Sequence, residues 1–188
     1  MNKAIFLDRD GTINVEKNYL YKIEDFEFLP GVIEALKMLQ DAGFLLIVIT
    51  NQSGIGRGYY TENDFKKLND WMVLTLKDQG VTINAVYFCP HLPDAKLKKY
   101  RMDCECRKPK LGMYEQAIKD FDVDVSQSYA IGDKIRDLSI CHTTGCRGFL
   151  VGANETVDII EQIQRGDIGS IRYETNLYGA AFRIIGDK

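Results

Sequence analysis

Two carboxylates, Asp8 and Asp10, follow the short apolar run Ala4–Leu7 and are separated by a single residue. Such a run is typical of a buried strand in a parallel sheet, and ligands of these sheets bind outside the carboxyl ends of the strands. Gly11 lets the backbone turn there, so both carboxylates can approach one point. Crowded carboxylates repel each other unless a divalent cation binds between them, and hard oxygen ligands suit magnesium. The stretch therefore predicts a magnesium site with a reactive carboxylate; a solvated turn is the alternative.

Further polar groups follow the other predicted strands. A hydroxyl and an amide, Thr50 and Asn51, come after the second apolar run, and two carboxylates, Asp133 and Asp137, come after a later one. Lys108 lies between these motifs in the sequence. Because the carboxyl ends of parallel strands meet at one edge of a sheet, we expect these groups to be neighbours in space. Carboxylates for a cation, donors for phosphate oxygens and a lysine for charge together indicate a reaction at phosphate.

The segment from about residue 89 to 109 carries a second set of ligating side chains. Cys89 and His91 are separated by one residue, as are Cys104 and Cys106. Three sulfurs and one imidazole are a standard closed tetrahedral set for zinc, so we predict a structural Zn²⁺ site. The segment has few apolar side chains, so zinc would supply its order. Two buried cysteines and a surface histidine are the alternative.

Alternating apolar and amphipathic segments predict the fold that positions these groups. Strands are expected at about residues 4–7, 44–49, 85–88, 129–131 and 148–151, and helices at about 30–43, 61–79, 114–121, 135–144 and 155–164. This alternation is typical of a doubly wound α/β fold, with a mainly parallel sheet flanked by helices. We expect residues 1–188 to form a single domain with an atypical C-terminal tail from about 167 to 188. In the tail, residues 171–173 and 181–185 are predicted as strands.

The overall composition argues against several classes of protein. The chain of 188 residues is 45% hydrophobic, enough for a packed core, and its formal net charge of -3 gives no general attraction to nucleic acid or membranes. No apolar run is long enough to span a bilayer, and the first residues lack the pattern of a signal peptide. We therefore expect a cytoplasmic enzyme that binds neither nucleic acid nor membrane. A monomer is predicted, with a dimer through the tail as the alternative.

The polar motifs resemble, in order and spacing, the four motifs of the haloacid dehalogenase superfamily. These motifs are residues 8–12, 50–52, 108 and 132–134, and the resemblance covers about residues 3–152. Within the superfamily, the chain is most similar to a subgroup that contains heptose bisphosphate phosphatases and histidinol-phosphate phosphatases. The segments that carry this similarity are residues 6–14, 50–55 and 89–109. The resemblance implies the Rossmann-like fold of the superfamily and the zinc-binding loop of the subgroup.

The resemblance also implies catalytic roles. Asp8 would attack phosphorus and form an aspartyl-phosphate, and Asp10 would protonate the leaving oxygen and then take a proton from water. Mg²⁺ would be held by the side chains of Asp8 and Asp133 and by the backbone carbonyl of Asp10. Thr50 and Lys108, with the backbone amide of Asn51, would bind the phosphate oxygens.

Contacts to the rest of the substrate follow from the same resemblance. Arg107 would grip a distal phosphate, and its planar fork suits that role. Asp137 would orient Lys108 or a metal-bound water. The full set of implied substrate-binding residues is Glu16, Lys17, Asn18, Tyr19, Asn51, Gln52, Ser53, Arg107 and Lys134.

The implied substrate is a small phosphorylated sugar. The enzyme would remove the C7 phosphate of a heptose 1,7-bisphosphate and leave the C1 phosphate, within the carbohydrate metabolism that supplies cell-surface heptose. A histidinol-phosphate phosphatase is the alternative enzyme, because it shares the motifs and the zinc loop. A zinc-binding interaction module with a dead site is the non-enzymatic alternative, and the intact motifs argue against it. A nucleic-acid end-processing phosphatase is disfavoured by the acidic net charge.

Overall fold

Six strands form the central sheet of the protein in its computed structural model, which describes residues 1–152 and 154–186. The strands are β1 (Ala4–Leu7), β2 (Leu45–Asn51), β3 (Ala85–Cys89), β4 (Tyr129–Gly132), β5 (Arg147–Val151) and β6 (Ile171–Glu174). Their spatial order is β3-β2-β1-β4-β5-β6, and every pairing is parallel. The predicted doubly wound, Rossmann-like α/β fold is therefore confirmed. The connections diverge between β1 and β4, which is where such sheets bind their ligands.

Helices cover both faces of the sheet. They are α1 (Val32–Asp41), α2 (Ser53–Arg57), α3 (Glu62–Asp78), α4 (Gly112–Phe121), α5 (Ile140–Thr143), α6 (Val157–Gln164) and α7 (Leu177–Gly186). Side chains alternate along β1, so Ile5 and Leu7 pack with α1, α3 and α7, whereas Ala4 and Phe6 pack with α4, α5 and α6. The buried sheet thus holds the end of β1 rigidly between two apolar layers.

The C-terminal tail contains one strand and one helix in its described part. The predicted strand at 171–173 is confirmed as β6, which extends the sheet edge beside β5. The predicted strand at 181–185 is wrong, because these residues lie in α7. The buried residues of α7 recur at spacings of three and four and pack with α1 in one apolar cluster: Leu177, Ala180, Ala181 and Ile184. A short apolar run suits either a strand or a buried helix, and this packing surface decided in favour of the helix. Residues 187–188 of the predicted tail lie outside the described residues.

Two further predictions concern the whole molecule. Within residues 1–152 and 154–186, no helix combines the length and the hydropathy that crossing a bilayer requires. The single-domain organisation and the monomeric state remain predictions.

Candidate active site

The carboxyl ends of three neighbouring strands bring the predicted catalytic groups together. Leu7, at the end of β1, is in register with Val48 of β2 and Ile131 of β4. Asp8 follows directly, and its backbone N–H donates to the carbonyl of Ile131 (2.9 Å). Thr50 lies at the end of β2, on one side of Asp8. The carboxylate of Asp133 follows β4, on the other side. Groups from distant parts of the sequence therefore meet at one sheet edge.

Lys108 lies at the centre of this edge and is fully buried. Its Nζ is 2.8 Å from an oxygen of Asp8 and 2.8 Å from an oxygen of Asp137, and it donates to the carbonyl of Ile49 (2.6 Å). A buried ammonium is tolerated only when its charge is compensated and its protons are bonded, and the two carboxylates and the carbonyl do this. Asp137 thus holds Lys108 against Asp8, which is one of the two roles predicted for it.

The carboxylates of Asp8, Asp133 and Asp137 form a cluster suited to a cation. Each offers an oxygen within 4.8 Å of the others. Asn154 donates to one oxygen of Asp133 (3.0 Å) and so fixes its orientation. Gly11 has a φ of +82°, and a Cβ at this position would overlap the carboxylate of Asp133. Hard oxygen donors at this separation fit Mg²⁺, and a side chain at residue 11 would push one of them away.

Burial perturbs the protonation of these carboxylates. Desolvation raises the pKa of Asp8 to about 8, and the charges of Asp137 and Asp133 act in the same direction, while Lys108 opposes them. Desolvation also raises the pKa of Asp133 to about 6, with a further contribution from Asp137. The cluster therefore favours protons, or a metal ion in their place, over uncompensated negative charge.

We expect Mg²⁺ binding to release protons near neutral pH. The raised pKa values mean that the metal-free folded protein binds more protons than the unfolded chain above about pH 4, so its free energy of unfolding should fall as the pH rises toward about 8. Magnesium displaces these protons, so its affinity should rise over the same range. Calorimetric titration in buffers of different ionisation enthalpy should show more protons released at about pH 7 than at about pH 9. Equal release at both pH values would contradict the raised pKa values of Asp8 and Asp133, whereas no binding of Mg²⁺ would contradict the assignment of the cluster as a metal site.

Asp10 lies beside this cluster and accepts hydrogen bonds from three buried side chains. Arg9 approaches both carboxylate oxygens at 2.9 Å, Asn14 donates to one at 3.0 Å, and Gln52 donates to the other at 3.0 Å. Among the described residues, the Nε and Nη1 atoms of Arg9 have no hydrogen-bond partner. No role was predicted for Arg9 or Asn14. The available signal was a charged residue between two aspartates at the end of a buried strand.

Most of the predicted substrate-binding residues line two adjoining cavities of about 320 and 310 Å³. The first is lined by Asp8, Asp10, Glu16, Asn18, Thr50, Asn51, Asp133 and Lys134, and the second by Tyr19, Gln52, Ser53 and Arg107 together with residues shared with the first. Asn18 and Tyr19 have φ values of +46° and +64°, a strained conformation for residues other than glycine.

Lys17 is not among the residues that line the two cavities, and its predicted contact with substrate stays a prediction. Its ammonium donates to the carbonyl of Asp25 (2.8 Å) and lies 3.2 Å from a carboxylate oxygen of Glu27, so its side chain is bound elsewhere on the same loop. The physical reason is that the ammonium of Lys17 is paired with a carboxylate on its own loop. Being next to Glu16 in the sequence does not place its side chain in the cavity.

The second cavity has a basic wall, of which only Arg107 was predicted. Arg57 and Arg136 join the predicted Arg107 there. Burial lowers the pKa of Arg107, and the charges of Arg136 and Arg57 lower it further, because like charges disfavour each other. Carboxylates thus predominate in the first cavity, whereas the second has three guanidinium groups beside the shared carboxylates of Asp10 and Glu16, and Arg136 lines both cavities. The site therefore suits a ligand that has one anionic group near a metal ion and another at a distance from it.

The predicted zinc ligands converge in the described structure. The Sγ atom of Cys106 is 3.0 Å from that of Cys89 and 3.2 Å from that of Cys104, and His91 Nδ1 is 3.3 Å from Cys106 and 3.7 Å from Cys89. Zn–S distances of about 2.3 Å in a tetrahedron require donor separations of about 3.8 Å, so this compact set fits Zn²⁺ after small adjustments.

The zinc loop also orders the cations that follow it. Arg107 donates to the carbonyl of His91 (3.3 Å). The side chain of Asn51 accepts from the backbone N–H of Lys108 and donates to its carbonyl, both at 3.1 Å. Cys106, the last predicted zinc ligand, is followed directly by Arg107 and Lys108 in the sequence. Ordering the loop therefore places both cations.

Comparison with known proteins agrees with this site. The sequence profile of a family described as polynucleotide kinase 3 phosphatase matches residues 3–138. A fold with catalytic carboxylates after β1 and a lysine and further carboxylates at the neighbouring strand ends defines the haloacid dehalogenase superfamily of phosphatases. The chain belongs to this phosphatase family within the superfamily, as the motifs predicted.

Its relatives include enzymes of one named activity. The D-glycero-β-D-manno-heptose-1,7-bisphosphate 7-phosphatase of Haemophilus ducreyi is 51% identical over 146 residues, which are 77% of this chain and 80% of that protein. The enzyme of the same name from Escherichia coli K12 is 47% identical over 72% of this chain and 71% of its own length. The crystal structure of D,D-heptose 1,7-bisphosphate phosphatase from B. bronchiseptica, complexed with magnesium and phosphate, has a TM-score of 0.82 and 31% identity and covers 99% of both chains.

Proposed function

We propose that the protein is a magnesium-dependent phosphatase that removes the C7 phosphate of D-glycero-β-D-manno-heptose 1,7-bisphosphate and leaves heptose 1-phosphate. It is a phosphoric monoester hydrolase, like the relatives that it covers over most of their length. The β anomer is proposed because those relatives are named for it. The magnesium and phosphate bound to the B. bronchiseptica enzyme support the same cofactor here.

The main support for this proposal is that carboxylates predominate in the first cavity and three arginines line the second. The phosphate to be cleaved would bind beside Asp8 and Lys108, and the second phosphate would bind Arg57, Arg107 and Arg136. Guanidinium groups favour an anionic distal group. Histidinol phosphate has no second anionic group: its ammonium lies on the carbon next to the phosphorylated CH2, and its far end is an imidazole, so the arginines would gain no partner from it. The basic wall therefore supports the bisphosphate over the alternative substrate.

In the first half-reaction, an oxygen of Asp8 attacks phosphorus and the bond between phosphorus and the sugar oxygen breaks. Asp10 gives its proton to the departing oxygen, since an alkoxide is a poor leaving group near neutral pH. Thr50 and Lys108 stabilise the charge that develops on the phosphoryl oxygens. The product of this step is an aspartyl-phosphate on Asp8 and the free sugar hydroxyl.

In the second half-reaction, Asp10 takes a proton from a water molecule that attacks phosphorus. The phosphoryl bond to Asp8 breaks, and inorganic phosphate leaves. The proposed magnesium ligands are the side chains of Asp8 and Asp133 and the backbone carbonyl of Asp10; a bound Mg²⁺ neutralises charge between the nucleophile and the anionic phosphate. The proposed Zn²⁺ on Cys89, His91, Cys104 and Cys106 is structural, and its role is to hold the loop.

The test is phosphate release with Mg²⁺ from three substrates: the β and α anomers of the heptose bisphosphate, and histidinol phosphate. We expect kcat/KM for the β anomer to exceed that for histidinol phosphate by at least about 100-fold, because an anionic distal group is bound in one case and is absent in the other. Arg107→Ala should lower kcat/KM for the bisphosphate strongly and for histidinol phosphate little. Arg165→Ala, which removes an exposed arginine paired with Asp167 (3.2 Å), is the matched control. A preference for histidinol phosphate would overturn the proposed substrate.

A further inference from the structure

The side chain of Gln52 connects three groups of the site and is itself buried. Its Nε2 donates to Asp10 (3.0 Å) and to the hydroxyl of Thr50 (2.9 Å). Its Oε1 accepts a short hydrogen bond (2.6 Å) from the hydroxyl of Tyr60. Gln52 was predicted to bind substrate, but both ends of its amide are engaged inside the protein. This arrangement points to a role on Asp10 and Thr50 instead.

The donor and the acceptor of each hydrogen bond between Asp10, Gln52 and Tyr60 follow from the chemistry of these groups. Arg9 donates to the same oxygen of Asp10 (2.9 Å), so this oxygen is an acceptor and the end of Gln52 that faces it must be the amide nitrogen. The oxygen then faces Tyr60, whose hydroxyl must donate to it. If the amide were reversed, its oxygen would face the carboxylate of Asp10 and repel it. Tyr60 therefore fixes the amide of Gln52 in the one orientation that supports Asp10.

Tyr60 is itself held rigidly. Its ring stacks on Tyr21, with ring centroids 5.3 Å apart and an interplanar angle of 12°. Gly54 allows this position, because a Cβ there would overlap the ring of Tyr60. Tyr60 also belongs to a small apolar cluster that includes three residues of the zinc loop: Leu92, Ala95 and Tyr100. The hydroxyl that orients Gln52 is thus anchored in the packing between α2, α3 and the zinc loop.

We propose that Tyr60 and Gln52 are positioning residues, which hold Asp10 in the place from which it exchanges protons with the leaving group and with water. The inference rests on the proposed phosphatase reaction and on the role of Asp10 in it. Neither residue forms a bond to phosphorus or exchanges a proton in the reaction. Gln52 also donates to Thr50 (2.9 Å), and both residues line the second cavity, so an effect through Asp10 is recognised by its dependence on how strongly the leaving group needs a proton.

The variant Tyr60→Phe removes one hydroxyl and keeps the ring. We expect it to lower kcat/KM for the heptose bisphosphate about tenfold, in keeping with the loss of one buried hydrogen bond. With 4-nitrophenyl phosphate, whose leaving group departs without a proton, kcat/KM should fall less than about twofold, since this constant reports the steps up to departure of the leaving group. Glycerol 3-phosphate, an alkyl phosphate without a distal phosphate, needs the proton but does not fill the second cavity, so its kcat/KM should fall about tenfold as well. Tyr21→Phe, which removes a hydroxyl from the ring stacked on Tyr60, is the matched control and should resemble the wild type with all three substrates.

The variant Gln52→Glu provides a second measurement. A carboxylate at residue 52 still accepts from Tyr60 but cannot donate to Asp10, so activity should fall at neutral pH. The loss should again be much larger for the bisphosphate than for 4-nitrophenyl phosphate.

These measurements distinguish a failure of the proposed function from a failure of the positioning role. Wild-type turnover of the heptose bisphosphate tests the proposed function, and the ratio of variant to wild type tests the positioning role. If Tyr60→Phe retains wild-type kcat/KM for the bisphosphate, the inference is wrong. It is also wrong if kcat/KM of either variant falls equally for the bisphosphate and 4-nitrophenyl phosphate, because a purely structural defect would have that effect. It is likewise wrong if kcat/KM of Tyr60→Phe for glycerol 3-phosphate stays at the wild-type level, because the role of Tyr60 would then be a contact in the second cavity.

Discussion

Replacement of Asp8 with asparagine is expected to reduce phosphate release by at least about 10⁴-fold, since a neutral amide cannot attack phosphorus. The fold should persist, because the side chain keeps its size and Lys108 keeps Asp137 (2.8 Å) and the carbonyl of Ile49 (2.6 Å) as partners. The wild-type enzyme quenched in acid during turnover should show the added mass of a phosphoryl group, and the variant should not.

The control for this experiment is Asp158→Asn, which removes an exposed carboxylate in the first turn of α6. It should leave turnover unchanged. Zinc content and the thermal unfolding midpoint of Asp8→Asn should stay close to wild type. Substantial phosphate release by pure Asp8→Asn protein would refute the assignment of Asp8 as the nucleophile.

Replacement of Cys104 with serine is expected to remove bound zinc and to lower activity by about 10- to 100-fold. A serine hydroxyl is a poor zinc ligand near neutral pH, so the closed donor set would be broken. The loss of loop order should then release Arg107 and Lys108, which follow the last ligand directly. Metal analysis, the thermal unfolding midpoint and kcat/KM measured on the same preparation check these three effects.

A matched control separates loss of zinc from loss of a buried thiol. Cys141 is buried in the apolar cluster on the α4 side of the sheet and is no part of the donor set, so Cys141→Ser should lower stability while zinc content stays at the wild-type level. If Cys104→Ser retained zinc, thermal stability and activity, the structural role assigned to the zinc would be wrong.

The amino-acid sequence alone was sufficient to predict the α/β fold and the groups that meet at the active site. Apolar runs that end in Asp8, Thr50 and Asp133 determine this, because parallel strands place their carboxyl ends at one edge of the sheet. The zinc donors were predictable for a different reason. Four ligating side chains lie within a short segment, so local geometry brings them together whatever the rest of the chain does.

Only the tertiary structure decided which partners these groups have. The strand predicted at 181–185 became α7 because α1 offers an apolar surface for it, a contact that no local pattern encodes. Lys108 and Asp8 are separated by 100 positions, and Gln52 and Asp10 by 42, yet both pairs are in direct contact. Arg57 joins Arg107 through the same long-range folding. Sequence periodicity reports on neighbours within a few residues, whereas packing over the whole sheet brings together the side chains that contact Asp8 and Asp10, the proposed nucleophile and general acid.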